Sequence, residues 1–225
     1  MITTILMDVD NTLLDFNVCA QQSIEGACNE AGITYTDDMY HAFMDVNQML
    51  WNRIEKGTLT RAQLYAMRWN LVFERIGLGM PGDVFEKAYS ARLATSHYPV
   101  DGARDILTYL SAKYTLCVAS NAPYERQSDR LRRAGFLPYF AHVFVSEDLG
   151  FYKPSRSFFD ACFDRLGNIK KENVVLIGDS LTADVAGGRD YGIKTCWFRY
   201  DKASLPADAQ ADYAVGALAE IKDIL

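Results

Sequence analysis

The sequence predicts a doubly wound α/β core built on a parallel sheet, interrupted by an inserted helical domain. Three observations carry this. Apolar, β-branched runs recur at residues 2–7, 114–119, 142–145, 173–177 and 194–198. Helical stretches separate the later runs and are closed by glycine: 124–134 before Gly135, 155–166 before Gly167, and 182–191 before Gly192. Residues 17–97 carry helical patterns and no convincing strand. Strands alternating with helices of about three turns point to a parallel sheet covered on both faces.

The first run is continuously apolar and ends in Asp8-Val9-Asp10-Asn11-Thr12. Helical patterns follow at 17–30 before Gly32, 37–56 before Gly57, 61–76 before Gly77, and 83–95. A glycine just past each helix accommodates the left-handed conformation that ends it. The third pattern opens with Thr60-Arg61-Ala62-Gln63, a capping box, and Leu64, Met67, Leu71 and Val72 fall on one face. Trp51, Tyr65, Trp69 and Tyr89 read as packing within this bundle. The domain reading is therefore a core of residues 1–16 plus 98–225 and a helical insertion of residues 17–97.

Apolar side chains make up 49% of the 225 residues, enough for a full core. The formal net charge of −6 argues against a nucleic-acid backbone as partner. It leaves room for an anionic small molecule, because a metal ion and one lysine can reverse the potential locally. Cys19, Cys28, Cys117, Cys162 and Cys196 are odd in number and scattered, which suits reduced, buried thiols. No basic leader precedes a long apolar stretch, and no apolar window has the length of a membrane span. A soluble, cytoplasmic protein with no membrane partner is expected.

Ligands of open α/β sheets bind beyond the carboxyl ends of the strands, and the reactive candidates collect there. The first run delivers Asp8 and Asp10, whose side chains point the same way in an extended chain. Two adjacent carboxylates need a cation or a shared proton, so a divalent metal site and a nucleophile beside an acid/base are both open. The second run ends in Ser120 and Asn121, the third is followed by Lys153-Pro154, and the fourth ends in Gly178-Asp179-Ser180 with Asp184 beyond. A calcium loop at Asp8 is disfavoured, since Leu13 stands at its glycine position and Cys19 at its final glutamate. Singly, Asp179 could cap a helix, Asp184 could favour a helix dipole, Ser120-Asn121 could be a turn and Lys153 a solvated lysine. His41, His97 and His142 lack metal-ligand spacing.

Taken together, Asp8-Val9-Asp10-Asn11-Thr12, the apolar run into Ser120, Lys153 before Pro154, and Gly178-Asp179-Ser180 with Asp184 resemble the haloacid dehalogenase superfamily. The resemblance implies a Rossmann-like core with a helical cap at 17–97. It implies Asp8 as the nucleophile on phosphorus and Asp10 as general acid, then base. Ser120, Asn121 and Lys153 would bind phosphate. Mg²⁺ would be held by the Asp8 carboxylate, the Asp10 main-chain carbonyl and Asp179, with Asp184 acting directly, through water or by orienting its neighbours. Carboxylate attack on a phosphate monoester brings anions together, so a cation bridging them makes chemical sense. Asp10 separates phosphatase from dehalogenase, because a halide leaves without a proton and an alkoxide does not.

Leu50-Trp51-Asn52-Arg53-Ile54-Glu55-Lys56-Gly57-Thr58-Leu59-Thr60, with Arg68-Trp69, resembles the cap of the pyrimidine 5′-nucleotidases in that superfamily. This implies a nucleoside 5′-monophosphate as partner, with pyrimidine and deoxy forms preferred. The alternatives are a sugar-phosphate or phosphoglycolate-type phosphatase, a phosphonate hydrolase using Lys56, a haloacid dehalogenase, and a non-catalytic phospho-ligand sensor.

Overall fold

Thr4–Met7 (β1) is buried along its whole length, as a strand with neighbours on both edges and cover on both faces must be. The computed structural model describes residues 1–200 and 210–225, so positions 201–209 of the expected core lie outside the described residues. Four helices follow β1: α1 (Phe16–Ala31), α2 (Asp37–Glu55), α3 (Arg61–Ile76) and α4 (Gly82–Thr95). Then come α5 (Ala103–Ser111), β2 (Thr115–Ser120), α6 (Tyr124–Arg133), β3 (His142–Val145), α7 (Ser146–Leu149) and α8 (Arg156–Leu166). The chain closes with β4 (Val174–Gly178), a π-helical turn Leu181–Ala186, α9 (Gly187–Tyr191), β5 (Lys194–Phe198), β6 (Tyr213–Val215) and a 3₁₀ turn Leu218–Asp223.

The strands form one parallel sheet in the order β3-β2-β1-β4-β5-β6. β1 lies between β2 and β4, so successive crossovers leave it in opposite directions and open a crevice at its carboxyl end. The alternation of side chains divides the core in two. Ile5, Met7, Val118, Val175 and Ile177 pack with Ile106, Leu110, Leu131 and Phe136 on one face. Leu6, Cys117, Ala119 and Leu176 pack with Phe158, Phe159 and Tyr191 on the other. All five cysteines are free and buried. Among the described residues, no helix is long and apolar enough to cross a membrane.

Two compact units result, Met1–Phe16 with His97–Leu225, and Asn17–Ser96. The helical unit is centred on an aromatic cluster in which Trp69 stacks on Phe43 at 5.2 Å between ring centroids and meets Phe85 at 4.3 Å. Thr60 and Gln63 close a reciprocal capping box at the start of α3. The buried face of α3 differs from the one expected: Leu64, Arg68, Trp69, Val72 and Phe73 are buried, while Met67 and Leu71 are only half-buried. The aromatic side wins because Trp69 and Phe73 bury more apolar area. It can accept Arg68 because each guanidinium nitrogen has a partner, donating to both Glu86 carboxylate oxygens (3.1 and 2.6 Å) and to Asn47 Oδ1 (2.9 Å).

Two further departures lie in the α/β unit. β6 went unseen in the sequence, being an edge strand of only three residues. Residues 182–191 do not form one α-helix: the amides of Asp184 and Val185 both donate to the Ser180 carbonyl at 3.1 Å, which widens the first turn. That widened turn carries Asp184.

Candidate active site

β1 delivers its chemistry through a tight turn. The Asp8 amide donates to the Ile177 carbonyl (2.9 Å), extending the β1–β4 ladder by one residue and bringing Asp8 beside the end of β4. Asn11 then adopts a left-handed conformation (φ 59°), which asparagine tolerates better than bulkier residues. The amides of Leu13 and Leu14 fold back onto the Val9 carbonyl, and Asn11 Oδ1 accepts the Phe16 amide at the start of α1 (2.9 Å).

Lys153 enters from the loop after α7. Asn121, just past β2, grips its backbone at both ends: the Lys153 amide donates to Asn121 Oδ1 (2.8 Å), and Asn121 Nδ2 donates to the Lys153 carbonyl (3.0 Å). Asn121 Oδ1 and one hydrogen of its Nδ2 are thereby committed to Lys153. The lysine is 1% exposed. Its Nζ donates to Asp8 Oδ1 at 2.8 Å and to Asp184 Oδ1 at 2.6 Å. Burial by itself would favour the neutral amine, but Asp184 and Asp8 outweigh it and hold the ammonium above the usual lysine range.

Asp184 Oδ2 accepts the Ser180 amide (3.1 Å), and Trp197 Nε1 donates to the Asp179 carbonyl (2.9 Å), fixing the backbone between them. Asp8, Asp179 and Asp184 each offer an oxygen, all within 4.8 Å of one another. Burial pushes Asp8 up to about 7, with Lys153 opposing and Asp184 and Asp10 adding to the rise. Burial, then Asp8 and Asp184, likewise push Asp179 well above the ordinary carboxylate range. Three crowded carboxylates against one ammonium leave an excess of negative charge, and the donors are all hard oxygens. That combination fits Mg²⁺.

Gly178 makes the cluster possible. A Cβ at this position would overlap the Asp184 carboxylate. Gly178→Ala is expected to displace Asp184 from Lys153 and the Ser180 amide, at a cost of about 1–3 kcal/mol of stability from overpacking. A cation held by this cluster would be held more weakly in the variant. Urea denaturation together with Mg²⁺ titration of the variant checks both effects.

Asp10 and Ser120 share a second network, built on α6. Arg130 Nη1 donates to Asp10 Oδ1 at 2.5 Å and to Gln127 Oε1 at 3.1 Å. Gln127 Nε2 donates to Asp10 Oδ2 (3.0 Å) and to Ser120 Oγ (2.9 Å), which also accepts the Ala122 amide (3.2 Å). Sequence reading missed Gln127 and Arg130. The available signal was their spacing: with Leu131 and Ala134 they follow the inward-facing pattern of a helix, so two polar residues stand where apolar ones belong.

Asp8, Lys153, Asp179 and Asp184 thus meet at the carboxyl ends of the central strands, and Asp10 joins Ser120 through α6. His41 and His142 are exposed and His97 half-buried.

Residues 2–192 match the model of the haloacid dehalogenase-like hydrolases. Over 222 residues the chain is 31% identical to the pyrimidine 5′-nucleotidase PynA of Streptococcus pneumoniae, spanning 98% of this chain and 94% of that protein. It is 26% identical to the ribulose-1,5-bisphosphate 5-phosphatase of Halopiger xanaduensis, with 100% of both chains covered. The crystal structure of the HAD-hydrolase YfnB from Bacillus subtilis, bound to magnesium, is 33% identical and superposes with a TM-score of 0.93, covering 100% of this chain and 98% of that one. A family match running from β1 through α9, on a sheet whose strand ends gather these carboxylates around a lysine, leads to one conclusion: this chain belongs to the haloacid dehalogenase-like hydrolases.

Proposed function

We propose that the chain is a Mg²⁺-dependent phosphatase that hydrolyses pyrimidine nucleoside 5′-monophosphates through an aspartyl-phosphate on Asp8. The observation that carries this reading is the crowding of Asp8 against Asp179 and Asp184 around the buried Lys153 ammonium. Asp8, Asp179 and the Asp10 main-chain carbonyl would hold the ion, with Asp184 beside them. Bound there, Mg²⁺ supplies positive charge that offsets the meeting of carboxylate and phosphate.

In the first step an Asp8 oxygen bonds to phosphorus as the ester oxygen departs, and Asp10 gives that oxygen a proton. In the second, Asp10 takes a proton from water, whose oxygen attacks the aspartyl-phosphate and releases inorganic phosphate and free Asp8. Two of the three Nζ hydrogens of Lys153 are engaged by Asp8 and Asp184, which leaves the third for a phosphoryl oxygen. Ser120 Oγ accepts two N–H donors and keeps its own hydrogen for a second phosphoryl oxygen. A halide leaving group would need no proton from Asp10, so the acid at this position favours phosphoryl transfer over dehalogenation.

The nucleotide preference rests on the resemblance to pyrimidine 5′-nucleotidases, which runs through the helical region as well as the core. The helical unit Asn17–Ser96 is the segment to which we assign substrate choice. The expected result is phosphate release with Mg²⁺, abolished by chelator. Values of kcat/KM for UMP, dUMP and dTMP should exceed those for ribulose 1,5-bisphosphate and glyceraldehyde 3-phosphate by about tenfold or more, a margin of about 1.4 kcal/mol in transition-state binding. A reversed order would favour the sugar-phosphate reading, to which the 26% identity with a sugar-phosphate phosphatase gives weight.

A further inference from the structure

We infer that Gln127 and Arg130 on α6 are positioning residues that hold the Asp10 carboxylate and the Ser120 hydroxyl in one fixed arrangement for proton delivery and phosphate binding. The inference rests on the phosphatase reading and adds to it a pair of residues that never touch the substrate.

Hydrogen-bond polarity fixes the arrangement. Arg130 has only donors, so the Gln127 atom it contacts is the carbonyl Oε1, and the other end of that amide is the NH₂ group. The two hydrogens of Nε2 then go one each to Asp10 Oδ2 and Ser120 Oγ. A single amide therefore sets the separation between the proton donor and a phosphate-binding hydroxyl. Arg130 Nη1 takes the other Asp10 oxygen, so the carboxylate is held at both ends. The need for such a restraint is visible in the burial. The Asp10 side chain is 31% exposed and would sample solvent if released, whereas that of Arg130 is 1% exposed and that of Gln127 is fully buried. The rigid members of the network therefore lie behind the reacting group. Misplacing a reacting group by about 1 Å costs about 100-fold in rate.

The test compares kcat/KM for an alkyl phosphate and for p-nitrophenyl phosphate, whose leaving group needs little protonation. This parameter reports steps only up to the first phosphoryl transfer, so later hydrolysis of the aspartyl-phosphate does not mask the effect. Arg130→Met is expected to lower it about 10- to 100-fold on the alkyl ester and less than about 3-fold on the aryl ester. In an Asp10→Asn background the same change should cost less than about 3-fold on either ester, because the group it positions is already gone. Gln127→Leu should show the same coupling to Asp10→Asn and a second coupling to Ser120→Ala. Equal losses on both esters that multiply with Asp10→Asn would overturn the inference and leave Arg130 a purely structural ion-pair partner. If Arg130→Met does not fold, Arg130→Lys keeps the charge, loses the planar fork and is read by the same criteria. A wild-type protein that hydrolyses neither ester with Mg²⁺ would defeat the phosphatase reading itself, and this inference with it, which is a distinct outcome.

Discussion

Asp8→Asn is expected to reduce turnover by about 10⁴-fold or more while leaving the chain folded. On the function proposed above Asp8 forms the covalent intermediate; the amide is a poor nucleophile, and losing such a group is among the costliest single changes an enzyme can suffer. The same substitution carries a second, opposite signature in stability. Asp8 is buried beside Asp179 and Asp184, and its carboxyl is pushed up to about 7. A raised acid pKa means that the folded state holds its proton while the unfolded chain releases it near 3.8. Without metal, Asp8 therefore contributes a loss of stability as pH rises from about 4 through about 7; an asparagine there removes that contribution and leaves the one from buried Asp179. The variant should be the more stable protein above pH 8 in chelator, and should lose that advantage near pH 4. Urea denaturation across this range measures it. An advantage that does not change with pH would contradict the origin given for the crowding.

Lys153→Met is expected to damage both fold and rate. With the ammonium gone, Asp8 and Asp184 face each other in a buried site with no cation. Breaking such an arrangement on one side costs about 3–5 kcal/mol. Turnover should fall by about 10²–10³-fold, the usual cost of removing a donor aimed at transition-state charge. On the function proposed above Mg²⁺ should restore part of the stability, by neutralising the same carboxylates, but little of the activity. Denaturation of the variant with chelator and with Mg²⁺, next to steady-state rates, separates the two effects. Full wild-type stability in chelator would show that Lys153 does not carry the charge balance of the cluster.

Much of this was legible in the sequence because parallel sheets write it there. β1 to β5 are short apolar runs, and their carboxyl ends are where polar side chains interrupt them, so Asp8, Ser120 and Asp179 could be placed at one edge of the sheet before any coordinates. The capping box at Thr60 was equally plain, being local and stereochemically specific. What stayed hidden depends on choices between competing partners. Arg68 lies inside the helical unit and Arg130 on the buried side of α6, and only the carboxylates awaiting them in three dimensions explain their burial. Nor can spacing tell that the side-chain amide of Asn121 would clamp the backbone of a residue 32 positions away. The π-helical turn at Leu181–Ala186 has no propensity signature of its own; it follows from the Ser180 carbonyl being shared by two amides.

The chain leaves the α/β unit for α1 and returns to it along neighbouring paths. The Asp15 amide donates to the Tyr98 carbonyl (2.8 Å), the Val100 amide to the Leu13 carbonyl (2.9 Å), and Leu14 bridges Pro99 in antiparallel fashion. Departure and re-entry are thus stitched together by the sheet-bearing unit itself. For that unit, everything between the stitches counts as a single surface excursion, and lengthening or shortening an excursion costs little free energy. Different inserts can therefore be exchanged at this junction while the carboxylates at the strand ends stay where they are, so the two units can diverge independently.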